Sequence, residues 1–376
     1  MKIPFNKPFF IGKETEYISQ AVRFGKISGD GIFTRKCHDF FEKKYGFKKV
    51  LLTTSCTTAL EMAAILIDIK IGDEVIMPSY TFVSTANAFV LRGAKIIFVD
   101  SNADNPNMDV KTLESLISSK TKAIVAVHYA GISCEMDEIM KVAKNHNLYV
   151  IEDAAQSINS FYKDKPLGSI GHLAAFSFHE TKNIISGEGG MLVINDEKFI
   201  NRAEIIREKG TNRSQFFRGG LTQYDWVDIG SSFLPSDIIA AFLFAQLEKL
   251  EVIQKKRMKI WIRYYDALKL LEISKKIQLP RIPEYATNNA HIFYLICRSK
   301  DERTKLISHL QNEGILAVFH YISLHKSPFY SSLKDNRELT NADLYTEHLL
   351  RLPLFYDLTR KEQMHIINSI MRFYNL

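Results

Sequence analysis

The sequence has few cysteines and no long apolar run. Its four cysteines, Cys37, Cys56, Cys134 and Cys297, are far apart and form no CxxC pair, so neither a zinc or other metal site nor a disulfide framework is expected. A reducing cytoplasm is the simplest location to predict. The longest nearly apolar stretch, "IIAAFLFA" at 238–245, is far below the ~18 residues that a membrane span needs. The start, "MKIPFNKPFF", lacks a signal-peptide pattern, and we expect no membrane association.

Nucleotide-binding glycine fingerprints and long basic runs are missing as well. Neither GxGxxG nor GxxxxGK[ST] occurs, so a dinucleotide fold and a P-loop are not supported. The formal net charge of +7 comes from short basic pairs with acidic residues between them. A solvated surface that tolerates small anionic ligands explains this pattern better than a nucleic-acid partner does.

The order of apolar runs predicts an α/β fold. With 376 residues, of which 46% are hydrophobic, the chain is large enough for two domains. From 48 to about 200, seven strand-like runs alternate with helix-like stretches, which is typical of βαβ units in a mainly parallel sheet. After about 235 come long helical patterns and then shorter elements, among them "HIFYLICR" and "ILAVFH" as strands. We predict a large domain over 1–245, with the N-terminal arm, and a smaller α+β domain over 246–376.

Polar residues that follow strands of such a sheet are the first candidates for chemistry, because ligands gather beyond the carboxyl ends of the strands. Ser55, Tyr80, Tyr129 and Asp153 occupy such positions. In "LYVIEDAAQS", strand alternation sends the two carboxylates of Glu152 and Asp153 to opposite faces. A buried carboxylate needs a cation or strong donors; capping of a following helix by Asp153 is an equally good explanation at this point.

Two further segments complete a set. In "TTSCTTALEM" a strand runs directly into a helix, whose free N–H groups suit a phosphate, although Thr54 or Ser55 could simply be the cap. In "FSFHETKN" a strand delivers Ser177 and Lys182 into a loop, where most lysines are surface charges. Together the segments offer a phosphate cradle, a carboxylate and an amine. Pyridoxal phosphate requires these three groups.

The segments "EDAAQS", "SFHETKN" and "GEGG" resemble the DegT/DnrJ/EryC1/StrS sugar aminotransferases, a branch of the fold-type I pyridoxal phosphate enzymes. The resemblance extends from "IPFNKPF" to "RLPLFYDLT" and includes "SGDGIFTRKC", "HYAG" and "AVFHYISLH". It implies a seven-stranded, mostly parallel sheet with a smaller C-terminal domain, and a homodimer with active sites at the subunit interface.

The resemblance also implies roles for individual residues. Lys182 would bind pyridoxal 5'-phosphate through a Schiff base, Asp153 would pair with the pyridinium nitrogen, and Gln156 would lie near the phenolic oxygen. Phe82 would stack on the ring, unless it is a core aromatic. The phosphate would be bound by Cys56, Thr57 and Ser177. Ser232, in "GSSFLP", stands where many relatives have an asparagine that reaches the phosphate of the partner subunit.

The implied reaction takes an amino group from L-glutamate, holds it as pyridoxamine 5'-phosphate and passes it to C4 of a dTDP-linked 4-keto-6-deoxy sugar, giving the galacto product. Lys209, Arg213 and Arg218, in "KGTNRSQFFRGG", could bind the diphosphate, or could belong to a surface loop or dimer contact. Tyr129, His320 and Tyr321 are further candidates for substrate contacts. The glucose epimer, amination at C3 and a non-catalytic binding protein remain as alternatives.

Overall fold

The computed structural model describes residues 2–331 and 337–375. Its strands, in chain order, are β1 (Lys49–Thr53), β2 (Glu74–Pro78), β3 (Lys95–Val99), β4 (Thr121–Val127), β5 (Tyr149–Asp153), β6 (Phe161–Tyr162), β7 (Lys165–Pro166), β8 (Leu173–Ser177), β9 (Gly190–Ile194), β10 (Ile277–Gln278), β11 (Phe293–Cys297) and β12 (Leu349–Leu352).

The α-helices are α1 (Glu14–Arg23), α2 (Ile32–Tyr45), α3 (Cys56–Leu66), α4 (Val83–Val90), α5 (Met136–Asn145), α6 (Ile200–Arg207), α7 (Arg213–Phe217), α8 (Asp237–Leu247), α9 (Leu250–Ile273), α10 (Lys300–Asn312), α11 (Pro328–Ser331), α12 (Thr340–His348) and α13 (Arg360–Phe373). No helix within the described ranges is long and apolar enough to cross a bilayer.

The large sheet has seven strands in the order β1-β9-β8-β5-β4-β2-β3. Only β9 runs against its neighbours; the other pairings are parallel. The seven strand-like runs in the sequence correspond to these strands, and the predicted mostly parallel α/β sheet is confirmed. Because the parallel strands end at one edge, residues that follow β1, β2, β4, β5 and β8 meet there.

A second sheet, β10-β11-β12, lies in the C-terminal part of the chain. It packs with α9, α10 and α13 around its own apolar cluster, which also contains Ile3 from the N-terminal arm. The division at residue 245 stays a prediction, and in the structure that position lies inside α8. The predicted helix pair after 235 and the helix that ends before Gly314 are present as α8, α9 and α10.

The segment "ILAVFH" was predicted as a strand, and this prediction is wrong. Residues 315–320 make only single bridges, Ile315 with Ile3 and Val318 with Arg351. The Phe319 carbonyl accepts from the Arg351 guanidinium, with 3.2 Å between Nη2 and the oxygen, so a side chain takes the place of a strand partner. Five of the six residues are apolar or aromatic, which gave the segment the composition of a strand. No neighbouring strand forms a continuous hydrogen-bond ladder with it in the described residues.

Glu152 fastens the loop between β7 and β8 beneath the sheet. Its fully buried carboxylate accepts the N–H groups of Gly168, Ile170 and Gly171 at 2.6 to 2.8 Å. It also lies 3.0 Å from His128 Nε2, which donates to it, while His128 Nδ1 accepts the Cys134 N–H. Burial alone would raise the pKa of Glu152, but the His128 bond and these amides outweigh burial and lower it.

Glu152→Gln should destabilise the protein by about 2 kcal/mol or more, because an amide NH₂ would face backbone donors where an oxygen now accepts. Since the Glu152 pKa is lower in the folded protein, the stabilisation is present above pH ~4.5 and is lost as pH falls through the folded-state pKa. Denaturation in urea at pH 7 and at pH ~4 should therefore show a difference that shrinks in acid.

Glu114→Gln is the matched control, since Glu114 also contacts a histidine, His146, at 3.1 Å, but on the surface. This substitution should change the free energy of unfolding little. If the two substitutions lowered the free energy of unfolding equally, the stabilising role assigned to the buried Glu152 carboxylate would be wrong.

Candidate active site

A cavity of about 840 Å³ lies at the carboxyl ends of the large sheet. Its walls come from both parts of the chain, with residues 319–322 and Arg351 facing the sheet edge. Nine of the residues predicted from the sequence line it: Cys56, Thr57, Phe82, Asp153, Gln156, Ser177, Lys182, His320 and Tyr321.

Lys182 enters this cavity from the loop between β8 and β9. Its own N–H donates to the His179 carbonyl at 2.9 Å. The next residue, buried Asn183, donates to the Asn289 carbonyl and to Gln254 Oε1, both at 2.8 Å, and accepts from His291 Nδ1 at 2.9 Å. These bonds fix the backbone that carries the lysine, so the amine points into the cavity from a rigid base.

Burial lowers the pKa of Lys182, and the nearby Cys56 and Asp153 offset part of that effect. The neutral amine is therefore more abundant at neutral pH than for an exposed lysine. A neutral amine is the form that attacks a carbonyl or accepts a proton.

Asp153 ends β5 and is 6% exposed. Oδ2 accepts the Thr85 hydroxyl at 2.7 Å and Oδ1 accepts the Ala155 N–H at 3.2 Å. No helix begins after it, because residues 154–160 form turns, so Asp153 is not a helix cap. The held carboxylate faces the cavity, where it can pair with a cationic ring nitrogen.

The N-terminus of α3 offers an anion site beside the lysine. Ser55 caps the helix, with its Oγ accepting the Thr58 N–H at 3.1 Å. Within the described residues, the N–H groups of Cys56 and Thr57 have no acceptor, and the Thr57 hydroxyl contacts Ser84 Oγ at 2.8 Å. Such a helix end suits a phosphate.

Gly190 allows this helix end to lie close to β9. A methyl group on Gly190 would overlap the backbone of Ser55 and Cys56. The glycines of "GEGG" therefore do more than turn the chain after the lysine loop: Gly187 has φ +81°, and Gly190 lets the sheet and the anion site approach each other.

The opposite wall is aromatic. Gln156 donates to the Tyr321 hydroxyl at 2.8 Å and accepts the Ala130 N–H at 2.7 Å, so its amide orientation is fixed. The Phe82 ring lies 6.2 Å from the Tyr321 ring and is 56% exposed, which leaves a face available for a flat ligand and argues against a purely core role.

His320 stacks on Tyr321 at 3.6 Å. Burial, followed by the charges of Arg351 and Lys182 among others, lowers the pKa of His320, so the ring is neutral at neutral pH. Burial raises the pKa of Tyr129, whose hydroxyl lies 2.7 Å from His320 Nδ1 and can donate to it. Tyr129 itself does not line the cavity; it lies behind His320 and would act through it.

Besides Tyr129, four predicted site residues lie outside the cavity of their own chain. Arg218 pairs with Glu204 at 2.6 Å, and Arg213 and Lys209 both approach Glu208, at 3.4 and 3.5 Å. Ser232 is exposed and forms a single bridge with Glu208. These residues belong to an exposed surface next to α6 and α7.

The sequence reasoning missed three residues that shape the cavity. Thr85 stands in "SYTFVSTAN" and Arg351 in "RLPLF", segments noted for resemblance only, and His291 belongs to "HIFYLICR", which was noted as a strand. The charge of Arg351 inside the otherwise apolar run "LLRLPLF" is the signal that could have indicated an inward arginine.

Comparison with known proteins accords with this geometry. Residues 10–371 match the DegT/DnrJ/EryC1/StrS aminotransferase family. The chain belongs to this family. It is 35% identical to an uncharacterised protein, MJ1066, of Methanocaldococcus jannaschii over 90% of this chain and 89% of the relative. It is 32% identical to GDP-perosamine synthase of Escherichia coli O157:H7 over 99% of both chains.

Among solved structures, the PLP form of Spr1654 from Streptococcus pneumoniae superimposes with a TM-score of 0.90 at 27% identity, covering 100% of this chain and 99% of that one. Its PMP form gives 0.91 at 26% identity, with the same coverage. The fold is therefore that of the fold-type I pyridoxal phosphate aminotransferases, and the protein is a sugar aminotransferase that uses pyridoxal 5'-phosphate.

The residues present fit this cofactor. The unpaired N–H groups at the start of α3 and the Ser177 hydroxyl suit its phosphate, the Asp153 carboxylate suits its ring nitrogen, and the buried Lys182 amine suits its aldehyde. These groups share one cavity, as the cofactor requires.

Gly190→Ala should weaken pyridoxal phosphate binding by about tenfold or more, because the added methyl would displace the helix start, whose free N–H groups suit the phosphate. Equilibrium dialysis of the variant against the cofactor measures the dissociation constant.

Pyridoxal without its phosphate is the control ligand. Its affinity for Gly190→Ala should stay close to that for the unmodified protein. If the substitution weakens both ligands equally, the anion site lies elsewhere.

Proposed function

We propose that the protein is a dTDP-4-amino-4,6-dideoxygalactose transaminase. It would move the amino group of L-glutamate to C4 of dTDP-4-dehydro-6-deoxy-D-glucose. The observation that carries the reaction type is the meeting of Lys182, Asp153 and the start of α3 in one cavity. The segments "AVFHYISLH" and "RLPLFYDLT", two of those in which the chain resembles the family, supply His320, Tyr321 and Arg351 to the same cavity.

In this proposal each part of the cofactor, namely the ring nitrogen, the ring face, the phenolic oxygen and the phosphate, has residues to bind it. Asp153, held by Thr85, would keep a proton on the ring nitrogen, and Phe82 would lie against the ring. Gln156 would approach the phenolic oxygen. Cys56, Thr57 and Ser177 would hold the phosphate, with Ser232 of the second subunit in the place of the usual asparagine.

When bound, pyridoxal phosphate supplies a ring that stabilises negative charge at the substrate carbon. Lys182, as a free amine, would take the proton from that carbon and return one to the carbon on the other side of the transferred nitrogen. Its lowered pKa favours the first step, and the bonds of Asn183 hold it within reach of both atoms. Thus one residue would serve as base and acid in both halves of the reaction.

The nucleotide would be bound by groups outside the cavity. The relative GDP-perosamine synthase bears a nucleotide-linked sugar in its name, which supports an acceptor of this kind. Arg213 and Arg218 are exposed, and their guanidinium groups can form two-point hydrogen bonds with a diphosphate. Lys209 adds a third positive charge on the same surface.

This surface would also form the interface of a homodimer with shared active sites. Large apolar side chains are exposed along residues 217–229, and Trp226 is 80% exposed. An apolar patch of this kind, bordered by charges, is typical of a protein contact. In such a dimer, Arg213, Arg218 and Ser232 of one subunit would lie near the cavity of the other subunit. In their own chain they lie outside the cavity.

The product would serve a surface polysaccharide, such as enterobacterial common antigen or the O-antigen of lipopolysaccharide. A cytoplasmic location fits the four free cysteines. Formation of the glucose epimer or amination at C3 would use the same residues, because the face of the sugar that meets the cofactor depends on small differences in pocket shape. A purely binding protein would have no need for the Lys182 amine.

The protein with dTDP-4-dehydro-6-deoxy-D-glucose and L-glutamate should yield the amino sugar with an axial C4 amine, since the proposal assigns the galacto product. Product NMR decides this through the ring coupling constants. An equatorial C4 amine would contradict the proposal and indicate the glucose epimer. An amine at C3 would contradict it and indicate amination at C3.

Lys182→Ala is the matched inactive variant. It should fold and bind the cofactor without a covalent bond, yet turn over at a rate lower by several orders of magnitude. Borohydride should fix the cofactor to the unmodified protein and not to the variant, as intact mass shows. Undiminished turnover by Lys182→Ala would refute the assignment.

Trp226→Asp should shift the protein from dimer to monomer, because it places a charge in the apolar patch. Sedimentation equilibrium measures the mass, and the dissociated variant should lose activity while its circular dichroism is retained. Ile71→Asp, at a site that is 92% exposed on the turn before β2, is the control and should remain dimeric. A monomeric unmodified protein with full activity would exclude shared sites.

A further inference from the structure

His291 presents a hydrogen-bond acceptor to the cavity. Its Nδ1 lies 2.9 Å from Asn183 Oδ1. The Asn183 amide nitrogen donates to the Asn289 carbonyl at 2.8 Å, which fixes the amide orientation, so His291 Nδ1 carries the proton and donates to Oδ1. His291 is 6% exposed and lines the cavity, and its Nε2 has no hydrogen-bond partner among the described residues. In a neutral ring this nitrogen can only accept.

His320 presents a hydrogen-bond donor to the same cavity. Its Nδ1 lies 2.7 Å from the Tyr129 hydroxyl. The Tyr80 ring lies 5.5 Å from that of Tyr129, but its hydroxyl makes no hydrogen bond within residues 2–331 and 337–375. His320 Nδ1 is therefore the acceptor for the Tyr129 proton, because a buried hydroxyl that does not donate loses a hydrogen bond. In the neutral ring the His320 proton is then on Nε2, which has no partner in the described part of the chain.

The two histidines are held by neighbouring segments. The His291 N–H donates to Asn289 Oδ1 at 3.0 Å, and this amide lies against Gly131, where a methyl group would overlap it. Gly131 ends the turn that begins at Tyr129, the residue that donates to His320. The cavity wall therefore places an acceptor nitrogen and a donor N–H near each other.

Both rings are neutral at neutral pH. Burial, followed by the charges of Lys182, Arg257 and Arg351, lowers the pKa of His291 well below its ordinary value. Burial and then Arg351, His291 and Lys182 lower the pKa of His320 in the same way. Neither ring can then form an ion pair with an anionic ligand, and both act only through hydrogen bonds.

We propose that His320 and His291 bind the ketone oxygen and the adjacent hydroxyl of the sugar, and so select an acceptor that is an α-hydroxy ketone. This inference rests on the proposed function, because it takes a keto-sugar as the amino acceptor. A ketone oxygen only accepts and a hydroxyl can donate, so the two groups match the two ring nitrogens.

The proposed sugar substrate has this arrangement on one side of its ketone. The C4 ketone of dTDP-4-dehydro-6-deoxy-D-glucose stands next to the C3 hydroxyl, whereas C5 carries no hydroxyl. The pair of histidines therefore fixes the direction of the sugar ring in the cavity. The amino donor is a poorer match, since a carboxylate oxygen cannot donate to the unprotonated Nε2 of His291.

The N–H of His320 also assists the reaction. Attack of an amine on the ketone carbon places negative charge on the oxygen, and a donor that already points at this oxygen stabilises that charge. A neutral imidazole can polarise a carbonyl in this way without adding a full charge to the cavity. Tyr129 is then a positioning residue, because it holds the His320 proton on Nε2.

His291→Asn should lower kcat/KM for the keto-sugar by about tenfold or more and change the reaction with L-glutamate by less than about threefold. An asparagine amide can still donate to Asn183 near the position of Nδ1, but no atom replaces Nε2. Stopped-flow absorbance of the PMP-loaded protein with the sugar nucleotide, and of the PLP-loaded protein with glutamate, separates the two halves. Equal slowing of both halves would assign His291 to Lys182 and overturn the proposal.

The unmodified protein allows a test without any substitution. The sugar nucleotide that lacks the C3 hydroxyl should react with the PMP-loaded protein about tenfold or more slowly, because His291 Nε2 is then left without a donor. His291→Asn should react with both sugars at similar rates. Equal rates in the unmodified protein, or a preference that persists in the variant, would contradict the role of His291.

NMR of the PMP-loaded protein with isotope-labelled histidine reads the proton positions directly. His291 should carry its proton on Nδ1 and His320 on Nε2, with signals assigned from the spectra of His291→Asn and His320→Asn. Tyr129→Phe should mix the two forms of His320 and slow the sugar half by about tenfold. A proton on the same nitrogen in both rings would overturn the proposal.

Tyr345→Phe is the matched control for Tyr129→Phe. The Tyr345 ring lies 5.8 Å from that of Tyr80, but its hydroxyl donates to the Asn102 carbonyl and not to a histidine. Its substitution should leave both half-reactions and the histidine signals unchanged. Failure of the proposed function would appear in the unmodified protein, as absence of the amino sugar, whereas failure of the histidine pair would appear in the proton positions and in the comparison of the two sugars.

Discussion

Two adjacent carboxylates end β5, and the cavity depends on their facing opposite sides of the sheet. Glu152 points beneath the sheet, where three backbone amides and His128 surround it. Asp153 points into the cavity, where Thr85 holds it. The bonds of Glu152 fix the backbone from which Asp153 projects. The position of the Asp153 carboxylate in the cavity therefore depends on the buried Glu152 carboxylate.

The charges of the cavity are balanced in the same local manner. The opposite charges of Lys182 and Asp153 interact beside the anion site at α3, and Lys326 forms an ion pair with Asp343. Arg351 stands apart from this balance, across the cavity from the sheet edge. Within residues 2–331 and 337–375 no carboxylate pairs with its guanidinium, whose Nη2 donates to the Phe319 carbonyl.

Much of this arrangement could be predicted from the sequence, because it follows from local patterns. The seven strands were visible as apolar runs, and the alternation of Glu152 and Asp153 followed from strand geometry alone. Ser177 and Lys182 were found because they lie at the end of a strand and in the loop after it, and Cys56 was found through the family resemblance. The family assignment came from many short matches.

The remaining features arise from contacts between distant segments, which no local pattern reports. Thr85 is an ordinary helical threonine until the fold places it against Asp153. Tyr129 looked like a substrate contact because it follows a strand, but His320 lies between it and the cavity. Residues 315–320 had the composition of a strand and lacked a partner for one, since Arg351 takes the Phe319 carbonyl.

The N-terminal arm joins residues from the two ends of the chain. Ile3 bonds to the backbone at Gly314 and Leu316, Phe5 covers Arg351, and Asn6 donates to the Glu180 carbonyl beside the lysine loop. Phe5 and its partner Arg351 on β12 are separated by most of the sequence, so this contact closes a long loop of chain. Closing so long a loop is slow compared with forming local helices. The wall of the pocket next to Arg351 is therefore expected to close after the local helices have formed.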